Sequence, residues 1–346
     1  MAVKVGILNV TGYAGAELAR ILHRHPEVEI TSVTGRSAAG KTLGEVFPHL
    51  SALDLTIAED LVDSVDVVFS ALPHTASAER VGPLLRQGVK AIDLSADFRL
   101  KSLEEYGSWY KADHPWPEYV EQAVYGLTEL HRDELKSASL IAVPGCYPTA
   151  AILALAPAVK AGIIEPDIIV DAKSGVSGAG RGLSLTTHYS EVNENVMAYS
   201  LEGHRHLPEI TQELAAIGSH AEPRVTFLVH LVPMTRGLMA SCYAPLREGA
   251  IASGEGAKSE VREVYASFYQ GEPFARVVDD PPMTKHTLGN NACLIYPTVD
   301  TRTDRLMVIS CLDNLVKGAA GQAVQDMNLM CGLPEEEGLQ QLALYP

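Results

Sequence analysis

The chain reads as a two-domain α/β protein, with a doubly wound parallel-sheet domain followed by an α+β domain built on a mixed sheet. Three observations support this. Its 346 residues exceed the ordinary size of one domain and suit two. Over the first stretch, up to Gly145, short β-branched runs alternate with helical segments. From Pro148 onward, long apolar runs succeed one another without a helix after each. The expected boundaries are 1–147 for the first domain, 148–315 for the second, and 316–346 for a C-terminal helix and tail returning to the first.

In the first domain, Val3–Leu8 is a strand, Ala14–Arg24 a helix and Glu29–Val33 a second strand. Val65–Ser70 is the third strand, Ala76–Gln87 a helix and Lys90–Leu94 the fourth strand. Strands this rich in Val, Ile and Leu, set between helices, belong to a sheet covered on both faces. The second domain opens with a helix, Thr149–Lys160, and a strand, Ile168–Ala172. A Gly/Ser-rich stretch, SGVSGAGRG, fills 174–182 and leads into polar turns carrying Asn193, Asn195, His204 and His206. Val225–Val232, Leu238–Ala244, Cys293–Val299 and Leu306–Cys311 are strands, with a helix over Ser259–Tyr269 between them. A small-residue helix, Lys317–Met330, comes last, and the acidic run at 335–337 reads as a solvated tail.

Composition excludes several classes. With 27 Lys+Arg against 43 Asp+Glu, the net charge of −16 repels nucleic acid and anionic lipid, so neither is an expected partner. An anionic substrate would need locally placed arginines. No apolar run approaches the ~18–20 residues that span a bilayer, so no membrane partner is expected. The start MAVKVGILNVTG lacks a signal peptide's layout and reads directly as the first strand. The five cysteines, at 146, 242, 293, 311 and 331, are odd in number and form no CxxC pair. A disulfide framework is not expected, and a reducing cytoplasm is the natural location. The long apolar strands of the second domain make a homo-oligomer, dimer or tetramer, the expected assembly.

The segment VGILNVTGYAGAEL sets Gly6, Gly12 and Gly15 between the first strand and first helix. In that context the glycines suit a Rossmann-like dinucleotide phosphate loop, whose tight turn and free helix N–H groups receive a pyrophosphate. The alternative is a merely structural turn. Thr11, Tyr13 and Ala14 complete the candidate cofactor contacts. Asn9 stands where a glycine might, and Asn tolerates the left-handed region better than most residues. An NAD site usually has a carboxylate about 20 residues beyond the loop. Here that neighbourhood is TGRSAAGK, with Arg36 and Ser37, a cation and a hydroxyl suited to a 2′-phosphate; NADP is favoured.

LIAVPGCYPTAAILAL places Cys146 after a buried strand and just before a helix opened by Pro148. A thiol there meets the positive end of the helix dipole, which favours thiolate; the bland alternative is a small packing residue. Beside a nicotinamide, a thiolate attacks an activated acyl group or an aldehyde, with hydride passing to or from the adduct. His204 and His206, flanking Arg205, are candidates for the proton shuttle, with a solvated surface pair as the alternative. A metal is not expected, since no acidic or Cys partner stands at ligand spacing.

Together these blocks resemble the N-acetyl-gamma-glutamyl-phosphate reductases, a family within the aspartate-semialdehyde dehydrogenase superfamily. The resemblance runs end to end: TGYAGAEL (11–18), DLSADFRL (93–100), VYGLTEL (124–130), PGCYPTA (144–150), KSGVSGAGR (173–181), EVNEN (191–195), HRHLPEI (204–210) and DNLVKGAAGQAVQ (313–325). It implies an NADPH-dependent enzyme of arginine biosynthesis acting on a small acyl phosphate through a cysteine thioester. Cys146 then resembles the nucleophile, and His206 the acid/base with His204 a close second. Arg99 and Arg205 are candidates for the phosphoryl and carboxylate groups. Ser174, Ser177 and Gly178 resemble a loop over cofactor and substrate, Asn314 and Gly318 a contact near the nicotinamide, and Glu191 and Asn193 active-site positions of unassigned role. The chain departs from the family pattern at Asn9, Val10 and Val143. Tyr147-Pro148 after the cysteine argues against aspartate-semialdehyde dehydrogenase itself, where Asn or Thr usually follows. The net charge argues, more softly, against the lysine-pathway reductase that takes a carrier-bound aminoadipyl phosphate. An NADP-binding redox sensor would not need HRH, SADFR and SGAGR together.

Overall fold

A computed structural model describes residues 2–218, 221–252 and 254–346. The chain divides into two compact units, 1–145 with 319–341, and 146–318 with 342–346. The divisions fall at Gly145/Cys146 and Gly318/Ala319, against the 147/148 and 315/316 expected from sequence.

In the first unit, β1 (Val3–Leu8), α1 (Tyr13–Leu22), β2 (Val28–Thr34), α2 (Leu43–Val46), β3 (Ile57–Ala58), β4 (Val67–Ser70), α3 (Ser77–Arg86) and β5 (Lys90–Asp93) follow in turn, with α2 and β3 added to the elements that the periodicity predicts. They are followed by α4 (Leu103–Tyr110), α5 (Pro117–Val120), β6 (Val124–Tyr125), α6 (Thr128–Leu135) and β7 (Leu140–Ala142). Among the described residues they form a seven-stranded sheet in the order β3-β2-β1-β4-β5-β7-β6, and every pairing is parallel. Val5, Ile7, Val67, Val68, Phe69 and Ile92 have no exposed surface, as in a sheet covered on both faces. The strand order reverses beside β1, so a crevice opens at the C-terminal ends of β1 and β4, the ordinary ligand position in such sheets.

The second unit opens with α7 (Cys146–Ala161), whose residues Tyr147–Ala158 are all buried; it is apolar on every side, as a central helix must be. β8 (Asp167–Gly175), α8 (Tyr189–Val192), β9 (Met197–Tyr199), α9 (Leu207–Ile217), β10 (Arg224–Val232), β11 (Leu238–Pro245), α10 (Glu255–Phe268), β12 (Ala275–Val277), β13 (Cys293–Asp300) and β14 (Arg305–Leu312) follow. Their sheet runs β12-β13-β14-β11-β8-β10-β9. It is mixed: β8–β10 and β12–β13 are parallel, the other pairs antiparallel. Helices α7, α9 and α10 lie along one face. Residues pointing the other way, among them Leu228, Met239, Tyr243, Tyr296 and Met307, are half-buried, and Ile169 is exposed.

Several expectations are corrected. The helix expected from Thr149 begins at Cys146, which is therefore inside its first turn. The turns around His206 run straight into α9, with Pro208 in its first turn, a helix the sequence reading passed over. The last helix is not uniform: Val316–Ala320 is a π-helical turn and only Gly321–Met330 is α-helical, α11. The acidic run is not simply solvated, because Glu335 is paired with Arg132 at 2.9 Å and accepts from Gln325 at 2.9 Å. Partnered there, the carboxylate helps hold the segment after α11 on the first unit. Among the described residues no helix is long and apolar enough to cross a membrane.

Candidate active site

The sequence-predicted residues gather in two places, one in each unit. In the first, Asn9 follows β1 in the left-handed region at φ 63°, a conformation Asn tolerates. Its side-chain amide donates to Ala71 O at 2.8 Å, and its carbonyl oxygen Oδ1 accepts from the Thr11 hydroxyl at 3.2 Å. The residue thus replaces a glycine's freedom with a hydrogen-bonded turn. Gly12 then precedes α1 without any side-chain cap, so the helix presents unpaired N–H groups at Tyr13, Ala14 and Gly15. A Cβ at Gly15 would lie 2.4 Å from Asn9 O, so only glycine lets the helix approach the loop this closely. Gly6 lies within β1 against Leu61 and Val65. Arg36 and Ser37 begin a short 3-10 turn after β2 and are exposed. They line a cleft of about 410 Å³ together with Asn9, Thr11, Thr34 and Arg80.

The DLSADFR block forms a buried scaffold in the same unit. Asp93 accepts from Ser77 Oγ at 2.6 Å and Ser95 Oγ at 2.6 Å, and burial together with Asp97 raises its pKa to about 6. Arg99 is buried; its Nε donates to Val143 O at 2.7 Å and a terminal nitrogen to Leu94 O at 2.8 Å. The Nε bond fixes the chain just before Pro144-Gly145, and the other holds the residue after β5.

In the second unit, Cys146 is half-exposed in the first turn of α7, at the positive end of that helix. Cys242 and Cys311 are buried, and burial pushes both thiols up to about 12. Cys331, in the first unit, is also raised by burial. Gly318 sits against Cys146: a Cβ there would fall 2.7 Å from Cys146 Cβ. The π-helical turn carries this glycine, as such turns often do at functional sites.

Histidines 204 and 206 lie side by side, ring centroids 4.7 Å apart. His204 Nδ1 accepts from the His206 N–H at 3.1 Å, which leaves the ring proton on Nε2. Burial, then Arg205, lowers the His204 pKa to about 4, so it is neutral at pH 7. Arg205 itself is exposed. Ser174 is buried and donates to Gly175 O at 3.1 Å. Asn314 is buried and spans two backbone turns, donating to Ser177 Oγ at 2.9 Å and accepting from Gly237 N at 2.9 Å. Gly178 packs near Ser174, where a Cβ would meet Ser174 Oγ at 3.1 Å. Ser174, Ser177, Gly178 and Asn314 therefore form one assembly. Glu191 in α8 and Asn193 just after it are exposed and stand apart from these contacts.

Residues missed from sequence are aromatic. Tyr147, Tyr199 and Phe227 surround the histidine pair. Only the unusual Tyr147-Pro148 after the cysteine signalled any of them.

Family models place residues 4–138 with the semialdehyde dehydrogenase NAD-binding domain and 146–314 with the semialdehyde dehydrogenase dimerisation domain. The chain is 55% identical over 343 residues to N-acetyl-gamma-glutamyl-phosphate reductase of Dehalococcoides mccartyi, covering 99% of each chain. It is 51% identical to the enzyme of that name from Pelotomaculum thermopropionicum, covering 100% of each. In fold it resembles aspartate semialdehyde dehydrogenase II of Vibrio cholerae, with TM-score 0.72 and 17% identity, covering 96% of this chain and 99% of that one. The Candida albicans aspartate semialdehyde dehydrogenase with NADP gives TM-score 0.67 at 18% identity, covering 96% and 99%. With full-length identity above half and both halves matched by their own family models, the chain belongs to the N-acetyl-gamma-glutamyl-phosphate reductase family of semialdehyde dehydrogenases.

Proposed function

We propose that the chain reduces N-acetyl-L-glutamyl 5-phosphate to N-acetyl-L-glutamate 5-semialdehyde and phosphate, using NADPH and a thioester on Cys146, as a step of arginine biosynthesis. The observation that carries this reading is the contrast among its thiols. One half-exposed cysteine stands at a helix N-terminus in the same unit as a histidine pair, while Cys242 and Cys311 are buried and their thiols raised.

The first unit fits the dinucleotide. The uncapped N–H groups at Tyr13–Gly15 suit the pyrophosphate, and a Cβ at Gly15 would fill the space that brings the backbone close. Thr11 lines the same cleft; Arg36 and Ser37 would meet the 2′-phosphate, so NADP is preferred. Ser177, Gly178 and Asn314 are the second unit's candidate contacts. Gly318 has a nearer reason to be glycine, since it makes room for Cys146. When bound, NADPH supplies the hydride that reduces the thioester.

The chain's own residues account for the remaining steps. The Cys146 thiolate attacks the acyl carbon; a C–S bond forms, the bond to the phosphate oxygen breaks, and phosphate leaves. The positive end of the α7 dipole stabilises the oxyanion of that addition. His206 gives a proton to the thiohemiacetal oxygen and takes it back as the C–S bond breaks and the thiolate departs. His204 is the weaker base, with Nδ1 occupied by the His206 N–H. Exposed Arg205 suits an anionic end of the substrate, and Ser174, Glu191 and Asn193 remain candidate substrate contacts.

The partner is a second copy of this chain, as dimer or tetramer. The half-buried apolar face of the second sheet, with Ile169 exposed on it, is the surface such a copy would cover. Phosphate-dependent NADP⁺ reduction tests the activity with three aldehydes offered separately: N-acetylglutamate semialdehyde, aspartate semialdehyde and carrier-bound aminoadipate semialdehyde. Turnover with the first alone is expected. Preference for either of the others would overturn the substrate assignment.

A further inference from the structure

The geometry points to Tyr147 as a positioning residue that ties the nucleophile's helix to the histidine pair, an inference that rests on the roles proposed for Cys146 and His206. Tyr147 is the covalent neighbour of Cys146, lies in the same first turn of α7, and is 3% exposed. Its ring meets both histidines edge-on, with centroids 5.6 Å from His204 and 6.0 Å from His206. Phe227 on β10 closes the cluster, 5.8 Å from Tyr147 and 5.5 Å from His204. Edge-to-face contacts at such separations fix ring orientation beyond what burial alone does.

The hydroxyl anchors the ring at its far end. It accepts from Tyr199 Oη at 3.2 Å and donates to His230 O at 3.3 Å, so β9 and β10 both hold it. A residue that buried, with its polar end satisfied and held from two strands, has little freedom to move. The histidines, by contrast, sit in the turn that leads into α9. The Tyr147 ring is the packed element they share, and it is one peptide bond from the sulfur-bearing residue. Proton transfer requires the base within hydrogen-bond reach, and a displacement near 1 Å can cost about 10²-fold. Displacing the ring should therefore lower the proton-transfer step while leaving the thiol itself intact.

The test compares Tyr147→Phe with Tyr147→Leu in the full chain, alone and combined with His206→Asn. Tyr147→Leu should lower kcat by about 10²-fold, whereas iodoacetamide should alkylate Cys146 at a rate within about twofold of the parent. Tyr147→Phe keeps the ring and should restore kcat to within roughly fivefold of the parent, about one or two neutral hydrogen bonds' worth. If Tyr147 acts through His206, the double variant should be no slower than His206→Asn alone, the non-additivity expected of residues working as a unit. Full multiplication of the two losses would overturn the proposal, as would equal losses for Phe and Leu, or a Leu variant within threefold of the parent. A Leu variant too unstable to assay leaves the Phe cycle, in which multiplied losses again overturn it. Failure of the underlying reading is visible separately. Undiminished turnover in both His204→Asn and His206→Asn would defeat the histidine roles, and this proposal with them, before Tyr147 is altered.

Discussion

Helices α1 and α7 begin in similar surroundings and use their N-termini differently. Each follows a buried parallel strand through a turn containing glycine, and neither first turn contains an acidic side chain. At α1, with Gly12 at the N-cap and no side-chain cap, the sequence leaves the free N–H groups uncovered and strips away side-chain bulk, which creates room for a diffuse polyanion. At α7 the sequence places an ionisable thiol, Cys146, on the chain itself and surrounds the next residue with aromatic rings. One helix start is built as a cradle and the other as a mount. The same dipole serves both because it acts on any negative charge held within the first turn.

The mount is the more sensitive of the two to loss of a single group. Cys146→Ser should abolish turnover, by more than roughly 10³-fold, because a neutral hydroxyl at the same place is a far poorer nucleophile at pH 7. NADPH binding, followed by fluorescence, should stay near normal. A serine variant keeping a tenth of the parent kcat would break the comparison at its centre. Next in size, His206→Asn should lower kcat by about 10²–10⁴-fold with a smaller change in substrate KM. His204→Asn should do less, since its Nδ1 is engaged with the chain and its pKa is held down near 4. If the two variants exchange these effects, so must the assignments.

The cradle was far more legible in the sequence than the mount's surroundings. Glycines between a β-branched run and an apolar-periodic helix report local geometry, and even the left-handed Asn9 was readable from residue type. Cys146 was legible for the same reason, as a thiol before a helix-opening proline. Tyr199, His204, Phe227 and Tyr147 come from separate segments, and nothing local signals that their rings converge. The two- and three-residue strands β3, β6 and β12 carry too few residues to show a period. The π-helical turn at 316–320 has no sequence signal for its extra residue per turn, so it merged with α11 in the reading. For Arg99 the sequence shows the charge and hides the burial. Only the structure shows the guanidinium on two backbone carbonyls.

Within the cradle, Gly15→Ala tests the close approach directly. The added carbon would lie 2.4 Å from Asn9 O and 2.8 Å from Val10 Cα, both backbone atoms that cannot swing aside. Overpacking of this kind costs about 1–3 kcal/mol, so NADPH affinity should fall roughly 10–100-fold as the loop shifts. The same substitution should leave Cys146 alkylation unchanged, because the mount is built from other residues. Titration of NADPH binding and the alkylation rate, measured on one preparation, give both readouts.

Arg36→Asp is expected to have the smallest effect and bears on which dinucleotide the cradle prefers. Arg36 opens the short turn after β2, exposed at the edge of the cleft that Asn9, Thr11 and Thr34 line. An arginine there grips a 2′-phosphate through charge-assisted bonds, each about 1.5–3 kcal/mol, while a ribose hydroxyl would gain much less from it. The aspartate removes the cation and sets a carboxylate against the phosphate, and that carboxylate can accept from the hydroxyl of NADH instead. NADPH affinity should therefore fall at least ~10-fold more than NADH affinity, or ~1.4 kcal/mol. High salt should narrow the difference, since an exposed charge is screened within about a Debye length. Binding titrations with both cofactors, in parent and variant at low and high ionic strength, read the ratio directly. An unchanged ratio would free Arg36 of this role and pass it to Ser37, or to Arg80, which lines the same cleft while paired with Asp60.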